Sequence, residues 1–474
     1  MDPLVVLSSS VDNPATAKLY YGQDCRKSLQ QLPEKSVHTI ATSPPYWGLR
    51  DYGNDPGIWD APVECDHEWG DLLPSHHPGQ VEQPINSNAV GAGAGGRATS
   101  GQYCQKCNAW YGQLGLEPTP ELFVTHLVEV FREARRVLRD DGTLWVNLGD
   151  SYSRGDRGYV VEQGGLCASV NGQDKYEFES PAAKMGGHPF IKPKDLVGIP
   201  WMVALALRND GWYLRSDIVW AKANCMPESV LDRPTRNHEY IFLLSKKERY
   251  FYDIDAVREP HKGDSVARSK RGRSDDHKYV DGPGGQSINS DEGLEQACHP
   301  GGKNKRTVWN VNPKPYAGAH FAVWPEKLVE PMILAGSGAK GCCSKCGAAL
   351  KRVVDKETYR EKSETREMDK TPLNVVRAGW RDGGPKTNTV GWEKVCNCTD
   401  AEIVRCVVLD PFSGSATTGA VALKHGRDYI GLDKNDAYVG LAEARLLGNV
   451  PPAVHPEAEG DSPSIADMFG SDDD

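Results

Sequence analysis

Val404-Arg405-Cys406-Val407-Val408-Leu409-Asp410-Pro411-Phe412-Ser413-Gly414-Ser415, late in the chain, is an apolar run entering a turn of small residues. Far upstream, Val37-His38-Thr39-Ile40-Ala41 enters Thr42-Ser43-Pro44-Pro45-Tyr46-Trp47 in the same way. Each run has the length of a buried strand. Each turn then stands at the C-terminal end of a parallel strand, where open α/β sheets place their ligands. Between them, Pro118 to Arg139 has apolar residues at helical spacing, followed by Asp140-Asp141-Gly142 and a strand from Thr143 to Leu148. Gly211 to Lys222 and a strand from Ile241 to Leu244 continue the alternation. The pattern predicts one doubly wound, mostly parallel α/β sheet with its site at the C-terminal edge.

Two consecutive prolines fix φ and hold the preceding residue extended. The turn at Ser43 is therefore stiff, and it leaves the Ser43 hydroxyl and the carbonyls of Ser43 and Pro44 without local N–H partners. Such groups can accept hydrogen bonds from an exocyclic NH₂, while Tyr46 offers a flat face to a base ring. Alone, the tetrapeptide is equally well explained as a turn that ends a strand. The second turn runs through Ser415-Ala416-Thr417-Thr418-Gly419 into a helix, and Arg427 to Asp433 follows as a strand ending in an acid. A Gly-rich turn with a carboxylate about twenty residues on holds a nucleoside, the acid taking the ribose hydroxyls. This turn has no G-x-G-x-x-G, and Asp410-Pro411 opens it. A cofactor carrying an amino acid and a nucleoside fits better than a pyrophosphate.

Both turns, in this order, resemble those of the S-adenosylmethionine-dependent DNA amino-methyltransferases, the N4-cytosine/N6-adenine family, in the permuted arrangement with the catalytic loop first. Residues 18–59, 117–155, 196–259 and 306–448 fit that pattern. The resemblance implies a Rossmann-like methyltransferase fold with Ser43, Pro44, Pro45 and Tyr46 as the catalytic loop. It places Asp410, Phe412, Gly414, Ser415 and Thr417 around the methionine part of S-adenosyl-L-methionine, Asp433 on the ribose and Asp24 near the adenine. His320 and Pro325 belong to the segment that closes over the methionine end. Ala416 stands where many relatives have Gly, so a positive φ there would be strained. His238 and Glu239 fall in the segment that shapes the base pocket in this family.

In the implied chemistry, Ser43 Oγ and the Pro44 carbonyl accept the amine hydrogens, localise the nitrogen lone pair and let the methyl pass directly. Methylation at cytosine C5 needs a thiolate instead, which in that family follows a proline. None of the thirteen cysteines here does so. The base must leave the duplex stack to reach Ser43, at a cost of a few kcal/mol that stacking on Tyr46 would offset in part. Serine before Pro-Pro-Tyr leans towards cytosine N4, with adenine N6 as the alternative. Double-stranded DNA is the implied partner, with a cognate restriction endonuclease. A non-catalytic zinc-ribbon protein that binds nucleic acid would explain the cysteines but neither turn.

The cysteines form a second signal. Cys65 and His67 precede Cys104-Gln105-Lys106-Cys107, and Cys343-Ser344-Lys345-Cys346 is matched by Cys396-Asn397-Cys398. Paired knuckles of this spacing fit tetrahedral zinc, giving two structural sites. His76 and His77 lie near His67, and Cys342 adjoins Cys343. Cys25, Cys167, Cys225, Cys298 and Cys406 read as unrelated thiols. The chain shows no signal peptide or transmembrane run, which with the resemblance implies a cytoplasmic enzyme of bacterial or phage origin.

The sequence predicts a catalytic half over residues 1–255 with a zinc-knuckle insert at 60–113, and a target-recognition region at 256–316. A cofactor-binding half follows at 317–450 with a zinc-ribbon insert at 341–400. Within 256–316, Arg271, Arg273, Lys305 and Arg306 are candidates for DNA contact. The net charge of −10 is awkward for a DNA-binding protein. However, the tail at 451–474 holds seven acids and no Lys or Arg, so much of the imbalance belongs to a segment expected to be disordered.

Overall fold

The computed structural model describes residue 3 and residues 5–8, 15–48, 54–62, 64–73, 101–153, 190–192, 194–225, 227–261, 301–313, 323–355 and 388–448. In chain order the strands are β1 (Val5–Ser8), β2 (Thr16–Tyr21), β3 (Val37–Thr42), β4 (Gly57–Trp59), β5 (Gln102–Tyr103), β6 (Trp110–Gly112), β7 (Leu138–Leu148) and β8 (Tyr213–Ala221). They continue as β9 (His238–Ser245), β10 (Val308–Asn310), β11 (Cys342–Cys343), β12 (Lys351–Asp355), β13 (Asn388–Glu393), β14 (Ile403–Val404), β15 (Val407–Asp410) and β16 (Asp428–Asp433). The α-helices are α1 (Cys25–Gln31), α2 (Pro120–Val137), α3 (Ile199–Asn209), α4 (Glu326–Gly336), α5 (Thr417–Lys424) and α6 (Val439–Leu446).

One nine-stranded sheet has the order β1-β2-β16-β15-β3-β7-β9-β8-β10. Its centre, β2-β16-β15-β3-β7, is parallel, whereas β9 runs antiparallel to both its neighbours. Every residue of β3 is buried, as a central strand covered on both faces requires. Alternate residues enter different cores. Ile40, Leu144 and Val146 pack with α2 and α3, whereas Ala41 and Trp145 pack with Leu328 and Met332 of α4. Helices on both faces make the sheet doubly wound. The helix α2 is set by local chemistry: Thr119 Oγ1 accepts from Leu122 N–H at 3.3 Å, Pro120 stands at the first turn, and Arg135 and Arg136 lie in the last. Its Phe123, Leu127 and Phe131 are fully buried, each worth roughly 1.5–3 kcal/mol on transfer from water, and Phe131→Ala would cost about 3–5 kcal/mol.

Two expectations change. The run from Val404 to Leu409 is split: β14 pairs with β11 outside the main sheet, and the core strand begins only at Val407. The strand expected from Thr143 begins earlier, at Leu138, so Asp140-Asp141-Gly142 lies within β7. The irregular step between Val37 and Thr39 of β3 absorbs these residues, and Lys35, Lys246 and Lys247 hold the Asp140 carboxylate. Residues 308–310, within the stretch 256–316 read as the target-recognition region, pair with β8 and extend the main sheet. No described helix is long and apolar enough to cross a membrane.

Candidate active site

Parallel pairing sets Leu409 opposite Ile40 and Asp433 opposite Tyr21, so the turns after β3, β15, β16 and β2 share one edge of the sheet. The first two turns are joined directly, Thr42 Oγ1 donating to Asp410 Oδ1 at 2.6 Å. Phe412 N–H donates to the same oxygen at 3.1 Å, and Thr418 Oγ1 donates to Oδ2 at 2.7 Å. Burial pushes the Asp410 carboxyl up to about 6, against the pull of these donors. Asp410 thus organises the loop from beneath.

Gly414, at φ +50°, lets the loop turn so that its N–H donates to Asp433 Oδ2 at 2.7 Å, while Asn435 N–H donates to Oδ1 at 2.9 Å. Burial also pushes the Asp433 carboxyl up to about 6. A Cβ added at Gly414 would meet nothing within 4 Å, so the loop borders open space. The Tyr21 hydroxyl lies 2.7 Å from Ser413 Oγ and 2.8 Å from the Gly414 carbonyl. Ser415 Oγ and Thr417 Oγ1 both accept from Arg445, which ties their side chains to α6. Ala416 does adopt φ +56°, ψ +40°, a left-handed conformation that costs a side-chain-bearing residue roughly 1–2 kcal/mol.

Asp24 caps α1 by accepting from Arg26 N–H at 2.9 Å and forms an ion pair with the Arg26 guanidinium at 2.7 Å. Burial raises its carboxyl, but the Arg26 contacts outweigh this and hold it below the ordinary value. Arg26 lies 3.6 Å over the Trp59 ring, and a Cβ on Gly57 would sit 3.4 Å from both Asp24 Oδ2 and Lys434 Nζ. Strand β4 therefore walls this end of the site. Pro325 is the N-cap of α4. His320 lies outside the described residues.

At the Ser-Pro-Pro-Tyr turn the polar groups form one cluster. Ser43 Oγ is 3.5 Å from the Tyr46 hydroxyl, which donates to Glu239 Oε2 at 2.8 Å. Asn147 Nδ2 shares its two hydrogens among the Tyr46 oxygen at 2.7 Å, Glu239 Oε2 at 3.0 Å and Ser43 Oγ at 3.4 Å. Lys222 Nζ pairs with Glu239 Oε1. A Cβ on Gly149 would fall 2.5 Å from Tyr46 Cε2, so one face of the tyrosine ring lies directly on backbone. Asn147, Gly149 and Lys222 were missed from sequence. A lone polar residue in the otherwise apolar run from Leu144 to Leu148 was the available signal for Asn147.

The turn is braced from behind. Gly48 N–H donates to the Gly115 carbonyl at 2.8 Å, Trp47 Nε1 to the Glu117 carbonyl at 2.9 Å, and Gly115 N–H to Glu117 Oε2 at 2.8 Å. Fully buried His126 sits between Trp59 and Trp110, with Glu117 and Asp60 each 2.9 Å from one of its nitrogens.

The first cysteine group comes together as Cys65, His67, Cys104 and Cys107, and the second as Cys343, Cys346, Cys396 and Cys398, the four ligand atoms of each lying within 4.8 Å of one another. Cys65 Sγ is 4.0 Å from Cys104 Sγ, and Cys107 Sγ is 3.4 Å from His67 Nδ1. Metal–ligand bonds of about 2.0–2.3 Å in a tetrahedron need separations of this order. The backbone N–H groups of Cys346 and Lys345 point at the Cys343 thiol and pull it down to about 6, despite desolvation. Cys342 does not compete with Cys343, and Cys406 is not an isolated thiol. The two are buried together beside His38, whose Nδ1 accepts from Val407 N–H at 3.0 Å while Nε2 faces the Gly347 carbonyl at 3.1 Å. With both imidazole nitrogens on backbone, this third group ties the second cysteine module to β3. Cys167 and Cys298 lie outside the described residues.

Of the expected DNA contacts, Arg271 and Arg273 lie outside the described residues. Arg306 and Lys305 flank Glu259, at 3.2 and 3.9 Å, and Lys305 also lies 4.8 Å over the Trp309 ring.

A family model described as DNA methylase, of the N6/N4 type, matches residues 37–342 and 401–444. The type II methyltransferase M.Cfr9I of Citrobacter freundii is 35% identical over 436 residues, covering 91% of this chain and 88% of that protein. The type II methyltransferase M.SmaI of Serratia marcescens is 32% identical over 435 residues, covering 92% of each. The type II methyltransferase M.XycI of Xanthomonas campestris pv. cyanopsidis is 33% identical over 429 residues, covering 90% of this chain and 86% of that protein.

Proposed function

The chain belongs to the N6/N4 DNA methylase family, as an S-adenosylmethionine-dependent DNA amino-methyltransferase, and from that premise we propose that it methylates cytosine at N4 within a specific duplex sequence. The observation that carries the site assignment is the 2.6 Å bond from Thr42 to Asp410, which joins the amine-binding turn to the cofactor turn. Serine before Pro-Pro-Tyr supports the cytosine preference.

Bound S-adenosylmethionine supplies an electrophilic methyl group on a sulfonium sulfur. Its residues here would be Asp433 for the ribose, Asp24 near the adenine, and the Phe412 to Thr417 loop with Pro325 and His320 for the methionine part. The open space over Gly414, beside the Asp433 carboxylate, suits a cationic nucleoside. Ser43 Oγ and the Pro44 carbonyl accept hydrogens of the target amine, which draws the nitrogen lone pair out of conjugation with the ring. Tyr46, resting on Gly149, presents its other face to the flipped base. Because Ser415 and Thr417 are bound to Arg445, their part is to shape the loop. Cys65, His67, Cys104 and Cys107 would hold one zinc ion in the module beside β4, and Cys343, Cys346, Cys396 and Cys398 a second in the module that His38 ties to β3. Lys305, Arg306, Arg271 and Arg273 contact DNA, a cognate endonuclease shares the target sequence, and the enzyme works in the cytoplasm.

The test uses purified protein, a labelled methyl donor and duplexes of the recognised sequence. Label transfer should disappear when the target cytosine is replaced by a pyrimidine lacking the 4-amino group, and should survive replacement of each adenine by purine. The opposite pattern would assign adenine N6.

A further inference from the structure

We propose that Glu239 is the terminus of a proton relay that starts at Ser43 and passes through the Tyr46 hydroxyl, with Asn147 as its positioning residue. This rests on the assignment of Ser43–Tyr46 as the amine-binding turn. The hydroxyls are polarised in one direction: Ser43 Oγ–H points to the Tyr46 oxygen at 3.5 Å, and Tyr46 O–H donates to Glu239 Oε2 at 2.8 Å. Each proton therefore points away from the pocket, and a lone pair of Ser43 is left for the amine. The 3.5 Å step is long, and such contacts shorten when a catalytic complex forms. Asn147 Nδ2 lies 2.7–3.4 Å from all three acceptors, shares its two hydrogens among them and fixes their spacing. Lys222 holds the other carboxylate oxygen and keeps Glu239 in place.

The amine has to lose a proton. As the C–N bond forms, the C–S bond breaks with its electron pair remaining on sulfur, and the nitrogen becomes a cation carrying both its hydrogens. One N–H bond then breaks, its electron pair returning to nitrogen while Ser43 Oγ takes the proton. Ser43 passes its own proton to Tyr46, and Tyr46 passes its own to Glu239. The sulfonium cation and the Glu239 carboxylate become a neutral sulfide and a neutral carboxylic acid, so charge is conserved. Of the charged or titratable groups facing the acceptor, Lys222 pairs with it directly and His238 interacts with it electrostatically.

The test compares Glu239→Gln, Tyr46→Phe and the double variant in single-turnover methylation at saturating DNA and cofactor, with both affinities measured separately. Each single variant should lose on the order of 10²–10⁴ in rate, the usual range for proton-transfer catalysis, with affinities changed less than about threefold. The double variant should lose no more than the worse single one, because both interrupt one path. Losses that multiply, or a wild-type rate in Glu239→Gln, would overturn the relay. Tyr46→Phe keeps the ring on Gly149, so it remains informative if Glu239→Gln fails to fold. Ser43→Ala, run alongside, separates the two failures: its inactivity with an unaffected Glu239→Gln sinks the relay alone, whereas its activity sinks the assignment of the turn.

Discussion

Gly149→Ala is the sharpest probe of the Ser-Pro-Pro-Tyr turn, because the change lies on the backbone behind Tyr46 and not in the turn itself. The added methyl carbon would lie 2.5 Å from Tyr46 Cε2 and 2.7 Å from Cδ2. Carbon–carbon contacts settle at about 3.5–4.0 Å, so something must retreat by roughly 1 Å. Gly149 directly follows β7, whose last residue Leu148 is fixed opposite Tyr240, so the tyrosine ring gives way before the backbone does. Its hydroxyl, 2.8 Å from Glu239 and 2.7 Å from Asn147, would then lie beyond hydrogen-bonding range. A displacement of about 1 Å in a catalytic group costs on the order of 10² in rate. Overpacking should also cost about 1–3 kcal/mol of stability. Single-turnover methylation, calorimetric titration of the cofactor and a thermal melt separate these effects. We expect the rate to fall about 100-fold with cofactor affinity intact. A folded variant with the wild-type rate, or one whose cofactor affinity falls as far as its rate, would refute the placement of Tyr46 against Gly149.

Ser43→Ala should abolish methyl transfer and leave cofactor affinity nearly unchanged, whereas Asp433→Ala should weaken the cofactor first; calorimetry showing equal affinity losses would contradict the two roles. Metal analysis of purified protein should give about two zinc equivalents, the metal supplying on the order of 10 kcal/mol to each module, and chelation should melt the modules as read by proteolysis. Cofactor affinity should depend on pH through Asp433. Its carboxyl titrates near 6 when folded and near 3.9 when unfolded, so the folded state holds the proton more tightly. The protein without cofactor therefore loses stability as pH rises from about 4 to 6. With the ionised Asp433 as the proposed ribose ligand, apparent affinity should fall about fourfold between pH 7.5 and 5.5, and Asp433→Asn should flatten that dependence.

Strand-and-turn chemistry made much of the site legible. Val37–Ala41 and the apolar residues before Asp410 needed only burial on both faces to be read as central strands, and the prolines after Ser43 announced a stiff turn. Neighbourhood was not legible. Nothing in the local sequence places Lys222 on Glu239, because that contact depends on β8 and β9 pairing antiparallel with Trp220 opposite Glu239. The same holds for Gly149 beneath Tyr46, and for His38 with Cys342 and Cys406, which joins residues more than three hundred positions apart. The start of β7 was not legible, because Asp140-Asp141-Gly142 lies within an irregular strand where lysines hold Asp140 and Arg139 pairs with Asp141. Ala416 was read from a departure in pattern, and its positive φ followed from the loop shape that Gly414 and Asp433 impose.

The most direct measurement is nucleoside mass spectrometry of DNA from cells expressing the wild-type chain, with Ser43→Ala as control. The account predicts N4-methyldeoxycytidine in the wild-type sample and none in the control. N6-methyldeoxyadenosine alone would move the activity to the other amine. A methylated base that persists in Ser43→Ala, or methylation at C5, would contradict direct transfer to an amine held at this turn.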